Sequence, residues 1–96
     1  MSAGEAVGLV EVRGLTGAIG AAEVMAKAAP VRLSRAVLIG DGLVTVVCRG
    51  QIAAVQEAVA AGAEVAGRLG TLIAGRTFGR LFIEVDRAFH FEGREP

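Results

Sequence analysis

The chain contains no tryptophan and no tyrosine, only one cysteine and one histidine, and no excess of either charge among its ten basic and ten acidic side chains. A nucleic-acid-binding surface needs clustered lysine and arginine together with aromatic stacking platforms, so this class of function is not expected. The single cysteine, Cys48, excludes an internal disulfide and a cysteine-based metal cluster. Its strand-like neighbours predict a small buried hydrophobic side chain rather than a reactive thiol.

The single histidine, His90, is too little for a histidine-based catalytic triad or a multi-histidine metal site within one chain. The acidic side chains are scattered without catalytic spacing, so we expect neither an enzyme nor a bound cofactor. No apolar run approaches the roughly 18–20 residues of a membrane span. The N-terminus lacks the basic start and apolar core of a signal peptide, so a soluble cytoplasmic protein is expected.

Small aliphatic residues dominate what the chain does contain. Hydrophobic residues make up 53 % of its 96 residues, which is high for a chain that is long enough for one domain. All four phenylalanines fall within the last nineteen residues, so the body of the domain is built from alanine, valine, leucine, isoleucine and glycine. A monomer of this size would struggle to hide so many apolar residues, and burial between subunits is therefore expected.

Hydrophobic periodicity predicts four strands and two helices. The strands are predicted over 6–13, 31–38, 43–49 and 71–78, and the helices over 17–29 and 51–69. Thr16 is a candidate N-cap of the first helix, and Pro30 ends that helix because proline lacks the amide hydrogen. The order β-α-β-β-α-β is the split βαβ, or ferredoxin-like, pattern. We expect an α+β domain over 1–80, with both helices on one face of a four-stranded antiparallel sheet.

A separate C-terminal tail is predicted over 81–96, where the composition shifts to phenylalanine and acidic residues. Apolar and other residues alternate over 81–86, which is typical of a short extra strand. A frayed, disordered extension fits the same residues equally well. The sequence therefore leaves two alternatives for the tail.

The segment Gly40-Asp41-Gly42 places a carboxylate between two glycines, directly before a predicted strand. Glycine on both sides leaves backbone amides uncovered and allows positive φ angles. Spacing alone favours an ordinary hairpin turn, since Asp-Gly is a common turn pair. The alternatives are a loop that contacts a ligand and a loop that contacts copies of itself.

Gly14, Gly17 and Gly20 follow a strand and lead into a helix. They lack the G-x-G-x-x-G spacing of a dinucleotide site, and no parallel crossover sheet is predicted around them. Close packing of the helix against the sheet or a neighbouring subunit is the better interpretation.

Several segments of the chain resemble the single-domain, hexamer-forming shell proteins of bacterial microcompartments, such as the carboxysome and the diol- and ethanolamine-utilisation organelles. The segments are GLVEVRGLTGAI (8–19), AAEVMAKAA (21–29), IGDGLVTVVCRG (39–50) and the helical AVQEAVAAGA (54–63). The resemblance spans roughly residues 6 to 80 and keeps the order of the family. It implies a structural protein whose cyclic hexamers tile edge to edge into a shell around enzymes.

The resemblance implies that the loop between the second and third strands lines a pore on the six-fold axis. In this chain the pore residues are Leu38, Ile39, Gly40, Asp41 and Gly42. The family usually has Gly-Ser-Gly here, often after a lysine, whereas this chain has Asp41 at the tip and Leu38 at the lysine position. Six copies of Asp41 would form a ring of carboxylates, which predicts a pore mouth that disfavours anions.

The resemblance also implies an edge between hexamers. Lys27 matches the edge lysine of the family, and Arg80 matches the arginine that inserts into the neighbouring hexamer. Arg80 lacks the flanking prolines and histidine of the family, and Pro30 stands where asparagine is usual. The implied partners are a homo-hexamer, neighbouring hexamers or paralogues, and encapsulated enzymes, all at the shell of a cytoplasmic microcompartment.

A ligand-binding regulatory domain is the alternative function, because split βαβ domains also serve as oligomeric small-molecule sensors. The Gly40-Asp41-Gly42 loop would then contact a metabolite instead of its symmetry mates. A hexamer that forms flat sheets favours the shell protein, and a dimer or trimer stabilised by a metabolite favours the sensor.

Overall fold

The computed structural model describes residues 4–89 and contains four strands and three helices. In chain order these are β1 (Ala6–Arg13), α1 (Leu15–Ala28), β2 (Arg32–Gly40), β3 (Leu43–Gly50), α2 (Ile52–Leu69), β4 (Thr71–Phe78) and α3 (Ile83–Phe89). The predicted β-α-β-β-α-β order is confirmed, and the bounds of β1 and β4 agree with the prediction. The α+β class therefore follows from alternation and helical stripes in the sequence.

The strands form one antiparallel sheet in the order β2-β3-β1-β4. At one end of the sheet, Arg13 of β1 pairs with Leu43 of β3 and with Thr71 of β4. At the other end, Ala6 pairs with Gly50. The hairpin between β2 and β3 therefore lies at the first end, and the start of β1 and the end of β4 lie at the second.

Helices α1 and α2 cover one face of the sheet, as predicted, and the core lies between them and the two central strands. Valines and alanines fill it together with Met25 and Cys48. Burial raises the pKa of the Cys48 thiol, and a backbone hydrogen bond to Gly8 lowers it by a smaller amount. The predicted role of Cys48 as a small buried hydrophobic residue is confirmed.

Glycines let the helices approach the sheet and each other closely. A Cβ on Gly62 of α2 would lie 2.6 Å from Cγ and Sδ of Met25 in α1. A Cβ on Gly17 would meet Val12 at 3.0 Å, and one on Gly20 would meet Leu69 at 2.7 Å. The close-packing interpretation of the glycines in α1 agrees with these distances.

Gly8→Ala is expected to lower the free energy of unfolding by about 1–3 kcal/mol, the usual cost of overpacking a core. The new Cβ would lie 2.6 Å from Val59, 2.7 Å from Val55 and 2.8 Å from Cys48, which belong to two different elements. Urea denaturation at matched protein concentration measures the change. Gly67→Ala is the control, because Gly67 is an exposed helical position with its nearest neighbour at 4.0 Å. It should be neutral or slightly stabilising, and equal effects of the two substitutions would contradict the packing.

Two sequence-based boundaries were wrong by two residues each. Helix α1 begins at Leu15 with Gly14 as its N-cap, so Thr16 lies inside the first turn and is not the cap. Gly14 has a φ of 111°, which suits glycine and lets the chain turn from β1 into α1 two residues earlier than a cap at Thr16 would. Strand β2 continues to Gly40 rather than ending at Leu38, because the partner strand β3 extends its pairing that far.

The tail contains a helix instead of the predicted short strand or disordered extension. Helix α3 begins with Val85 and Asp86 donating their amide hydrogens to the carbonyl of Phe82. Acidic residues in its first turn favour this helix terminus electrostatically. The alternation over 81–86 was outweighed by a contact with β3 that is distant in sequence, described below. Residues 90–96, with His90, lie outside the described residues.

Candidate functional site

The predicted pore segment lies at the tip of the β2–β3 hairpin. Leu38 pairs with Val44 and Gly40 pairs with Leu43, so the pairing register skips Ile39. Such a bulge bends and twists the strand locally. The strand therefore turns away just before Asp41-Gly42, the two residues that connect the strands.

The backbone of the hairpin tip has three consecutive positive φ angles. Gly40 has φ 118°, Asp41 has φ 54° and Gly42 has φ 75°. Asp41 is the one non-glycine residue with positive φ among residues 4–89, and aspartate tolerates this region better than most side chains. Positive φ at both connecting residues is what a type I′ hairpin turn requires. The ordinary-turn interpretation of the segment is therefore correct for its local structure.

The junction between β1 and α1 supports this turn from one side. The Gly14 N–H donates to the Gly42 carbonyl at 2.7 Å, and Arg13 Nη1 donates to the main-chain oxygen of Asp41 at 2.8 Å. Both contacts join residues that are close in space and 28 positions apart in the sequence. The tip is therefore attached to the centre of the sheet and is not a free hairpin end.

Two apolar side chains at the tip are unusually exposed. Leu38 is 69 % exposed and Ile39 is 60 % exposed, and Asp41 is also on the surface. Exposed leucine and isoleucine next to a carboxylate on a protruding turn are more typical of an interface than of a monomer surface. In an assembly, the tip can contribute the apolar side chains of Leu38 and Ile39 and one negative charge.

The two predicted edge residues lie at the other end of the sheet from this tip. Lys27 is in the last turn of α1, and its Nζ lies 2.9 Å from Glu23 Oε2 on the same exposed helix face. Arg80 follows β4 and lines a surface cavity of about 510 Å³ with Gly79 and the first residues of α2. The five predicted pore residues thus lie together at one end of the sheet. The two predicted edge residues lie at the opposite end.

A buried ion pair between β3 and α3 was missed by sequence reasoning. Arg49 Nη1 and Nη2 donate to Asp86 Oδ1 and Oδ2 at 3.0 and 2.8 Å, and the two side chains are 1 % and 3 % exposed. Arg49 also donates to the carbonyls of Glu5 and Ala6. The position of Arg49 at the end of a strongly apolar strand was the available signal, since a buried charge needs a partner.

This ion pair places α3 over the face of the sheet opposite α1 and α2. Arg49 pairs in register with Val7 on that face, whereas the neighbouring Cys48 faces the core. A groove of about 430 Å³ remains on the same face, and Phe89 of α3 is one of the residues that line it. It is lined by Leu9, Glu11, Arg35, Val37, Ile39, Thr45, Val47 and Phe89. The start of the tail is therefore folded onto the sheet.

The described residues contain neither a cluster of candidate metal ligands nor a helix that could span a membrane. Within 4–89 no group of three or more histidine, cysteine, aspartate or glutamate side chains is arranged to hold a metal ion. None of the helices in this range is both long enough and apolar enough to span a membrane.

Comparisons with known proteins agree on one family. A family model described as the BMC domain matches residues 6–80. Carboxysome shell protein CsoS1C of Halothiobacillus neapolitanus is 46 % identical over 84 residues, which cover 86 % of each chain. Carboxysome shell protein CsoS1C of Hydrogenovibrio crunogenus is 46 % identical over 94 residues, which cover 97 % of this chain and 92 % of that protein.

A solved structure shows the same fold. A microcompartment protein from Desulfitobacterium hafniense superposes with a TM-score of 0.81 and 33 % identity. The match covers 98 % of the present chain and 50 % of that protein, so this chain spans half the length of that relative.

Proposed function

Because the chain belongs to the BMC domain family, we propose that it builds the shell of a bacterial microcompartment as a cyclic hexamer with a central pore. The structural shell role follows from the carboxysome shell relatives and from the BMC domain that covers 6–80. The chain is a shell component and resides in the shell of the organelle. No catalytic step is assigned to it, and its partners are further copies, other shell proteins and the enzymes enclosed.

The observation that carries the hexamer proposal is the separation of the two predicted sites. The β2–β3 tip lies at one end of the sheet, and Lys27 and Arg80 lie at the other. Eight-residue strands at about 3.3 Å per residue separate these ends by roughly 25 Å. A tile that meets its neighbours at its perimeter and encloses a pore at its centre needs this arrangement.

The edges of the sheet supply a second line of support. Strands β2 and β4 are the two edge strands, and both keep large apolar side chains exposed. These are Leu33, Leu38 and Ile39 on β2 and Leu72, Ile73 and Phe78 on β4. Unprotected apolar edges are a liability in a monomer. Two different surfaces of one chain that bind each other give a head-to-tail interface, which closes into a ring when the rotation between subunits divides a full turn.

Asp41→Asn is expected to shift the ion preference of assembled sheets from cations toward anions by several-fold. Six carboxylates on one axis create a potential of several kT, and their removal lowers the local cation concentration accordingly. Asparagine keeps the turn, because Asn-Gly suits the same positive-φ hairpin. The reversal potential across sheets sealed over an aperture, in asymmetric potassium chloride, measures the preference.

Glu57→Gln is the matched control for this prediction, since it removes the same charge from an exposed position on α2. It should leave the reversal potential as in the wild type. An unchanged preference in Asp41→Asn would contradict the placement of Asp41 at the pore.

A further inference from the structure

We infer that Arg13 is a positioning and selectivity-determining residue of the pore, which holds the Asp41 turn and brings a positive charge to the same turn as each carboxylate. This inference rests on the proposed hexamer with the β2–β3 tip at its axis. Arg13 was not among the residues predicted for the site. It enters through its contact with the main chain of the turn.

The backbone of Arg13 is held by strand pairing, and its guanidinium contacts the turn. Arg13 is the last residue of β1, one of the two central strands, and pairs with Leu43 on one side and Thr71 on the other. Its Nη1 donates to the Asp41 main-chain oxygen at 2.8 Å. A Cβ on Gly42 would lie 3.9 Å from Arg13 Cγ, so the aliphatic stem runs beside the turn. Strand pairing therefore fixes the backbone of Arg13 next to the turn, within reach of the Asp41 main-chain oxygen.

The turn needs such support because its backbone is unusual. Three consecutive residues, 40–42, have positive φ, and the middle one is the non-glycine Asp41. Besides the β2–β3 pairing, two hydrogen bonds within the described residues hold the tip from the β1–α1 junction: the one from Arg13 and the one from the Gly14 N–H to the Gly42 carbonyl. A hydrogen bond from a charged donor is stronger than one from a neutral donor. Arg13 therefore adds a charge-assisted contact to the neutral hydrogen bond from Gly14.

The same contact sets the charge of the rim. The guanidinium stays charged at every accessible pH, and in this contact it binds a main-chain oxygen, which carries no net charge. Arg13 is exposed, as is Asp41. In a ring, each copy brings one positive and one negative group to the same turn. The cation preference of the pore is then smaller than six carboxylates alone would produce, and Arg13 sets how much smaller.

The test compares Arg13→Gln, Arg13→Lys and the control Arg68→Gln in the assembled protein. Arg68 is an exposed arginine of α2, and its replacement makes the same change in charge. Two readouts are taken: the reversal potential of sheets in asymmetric potassium chloride, and amide exchange at Gly14 and Leu43, whose amides flank the turn. Arg13→Gln should raise the preference for cations over anions, as read from the reversal potential, by several-fold. This change is opposite in sign to that of Asp41→Asn. Arg13→Gln should also speed amide exchange by about five- to thirty-fold.

Arg13→Lys separates charge from positioning. Lysine keeps the positive charge, so it should restore the reversal potential of the wild type while amide exchange recovers in part. Arg68→Gln should change neither readout. An Arg13→Gln protein with wild-type exchange and wild-type ion preference would overturn the inference, and so would a shift in Arg13→Lys equal to that in Arg13→Gln. If wild-type sheets pass no ions, the proposed pore fails, and amide exchange alone then decides whether Arg13 positions the turn.

Discussion

Asp86→Ala should lower the free energy of unfolding by about 3–5 kcal/mol, the typical cost of removing one partner of a buried ion pair. The substitution leaves the Arg49 guanidinium 1 % exposed and without its carboxylate. Carbonyl oxygens of Glu5 and Ala6 would remain as its partners, and they carry no net charge. Urea unfolding at fixed protein concentration measures the change, because an oligomer gains stability by mass action.

Glu84→Ala is the matched control for Asp86→Ala. Both acidic residues lie in the first turn of α3, and Glu84 is exposed. Both substitutions therefore remove a similar electrostatic stabilisation of the helix N-terminus. Only Asp86→Ala also removes the buried ion pair. The double variant Arg49→Met with Asp86→Ala should lose less stability than the sum of the two single variants, since no charge is left buried. Equal effects of Asp86→Ala and Glu84→Ala would contradict the pairing.

Lys27→Glu should leave the ring intact and abolish extended sheets. Among residues 4–89 of one chain, Lys27 makes only a surface pair with Glu23 on the same helix, which is worth about 0.3–0.5 kcal/mol. The fold therefore depends little on it. In the proposed hexamer, each of the six edges would carry the reversed charge. The contact that we propose between the apolar part of the Lys27 side chain and the neighbouring hexamer would be lost as well. Negative-stain electron microscopy of the sheets, with native mass of the ring, measures both parts.

Arg68→Glu is the control for this second prediction. Arg68 and Glu64 are four residues apart on α2, with 3.9 Å between Nη2 and Oε1, and both are exposed. The substitution reverses the same charge beside a glutamate, as Lys27→Glu does. Sheets of normal extent in Lys27→Glu, or equal loss of sheets in Arg68→Glu, would show that the residue is not an edge contact.

Local pattern was sufficient for most of the fold. The strands β1 and β4 follow from alternation, and the stripe of small and apolar residues in α2 placed that helix within one residue of its observed start. The errors arose where local preference met a contact from elsewhere. Thr16 is a good cap by type, but Gly14 turns the chain first. The tail alternates like a strand, but Asp86 is bound by a residue 37 positions earlier, and the segment is helical.

The candidate site divides in the same way. The Gly40-Asp41-Gly42 turn is visible in the sequence because its glycines and aspartate encode the positive φ angles directly. The contact of Arg13 with the turn could not be predicted, since nothing near Arg13 in the sequence indicates that the turn lies beside it in space. Only the antiparallel register of β1 against β3 brings the two together. Long-range pairing thus supplies the part of the site that composition and spacing do not encode.

Native mass spectrometry of the 96-residue chain tests the proposed shell hexamer most directly. A hexamer is predicted, with six times the 9.8 kDa mass of the chain, and electron microscopy of the same sample should show flat sheets with a hole at each six-fold centre. A dimer or trimer that forms no sheets and is stabilised by a small metabolite would contradict the hexamer and favour the ligand-binding regulatory domain.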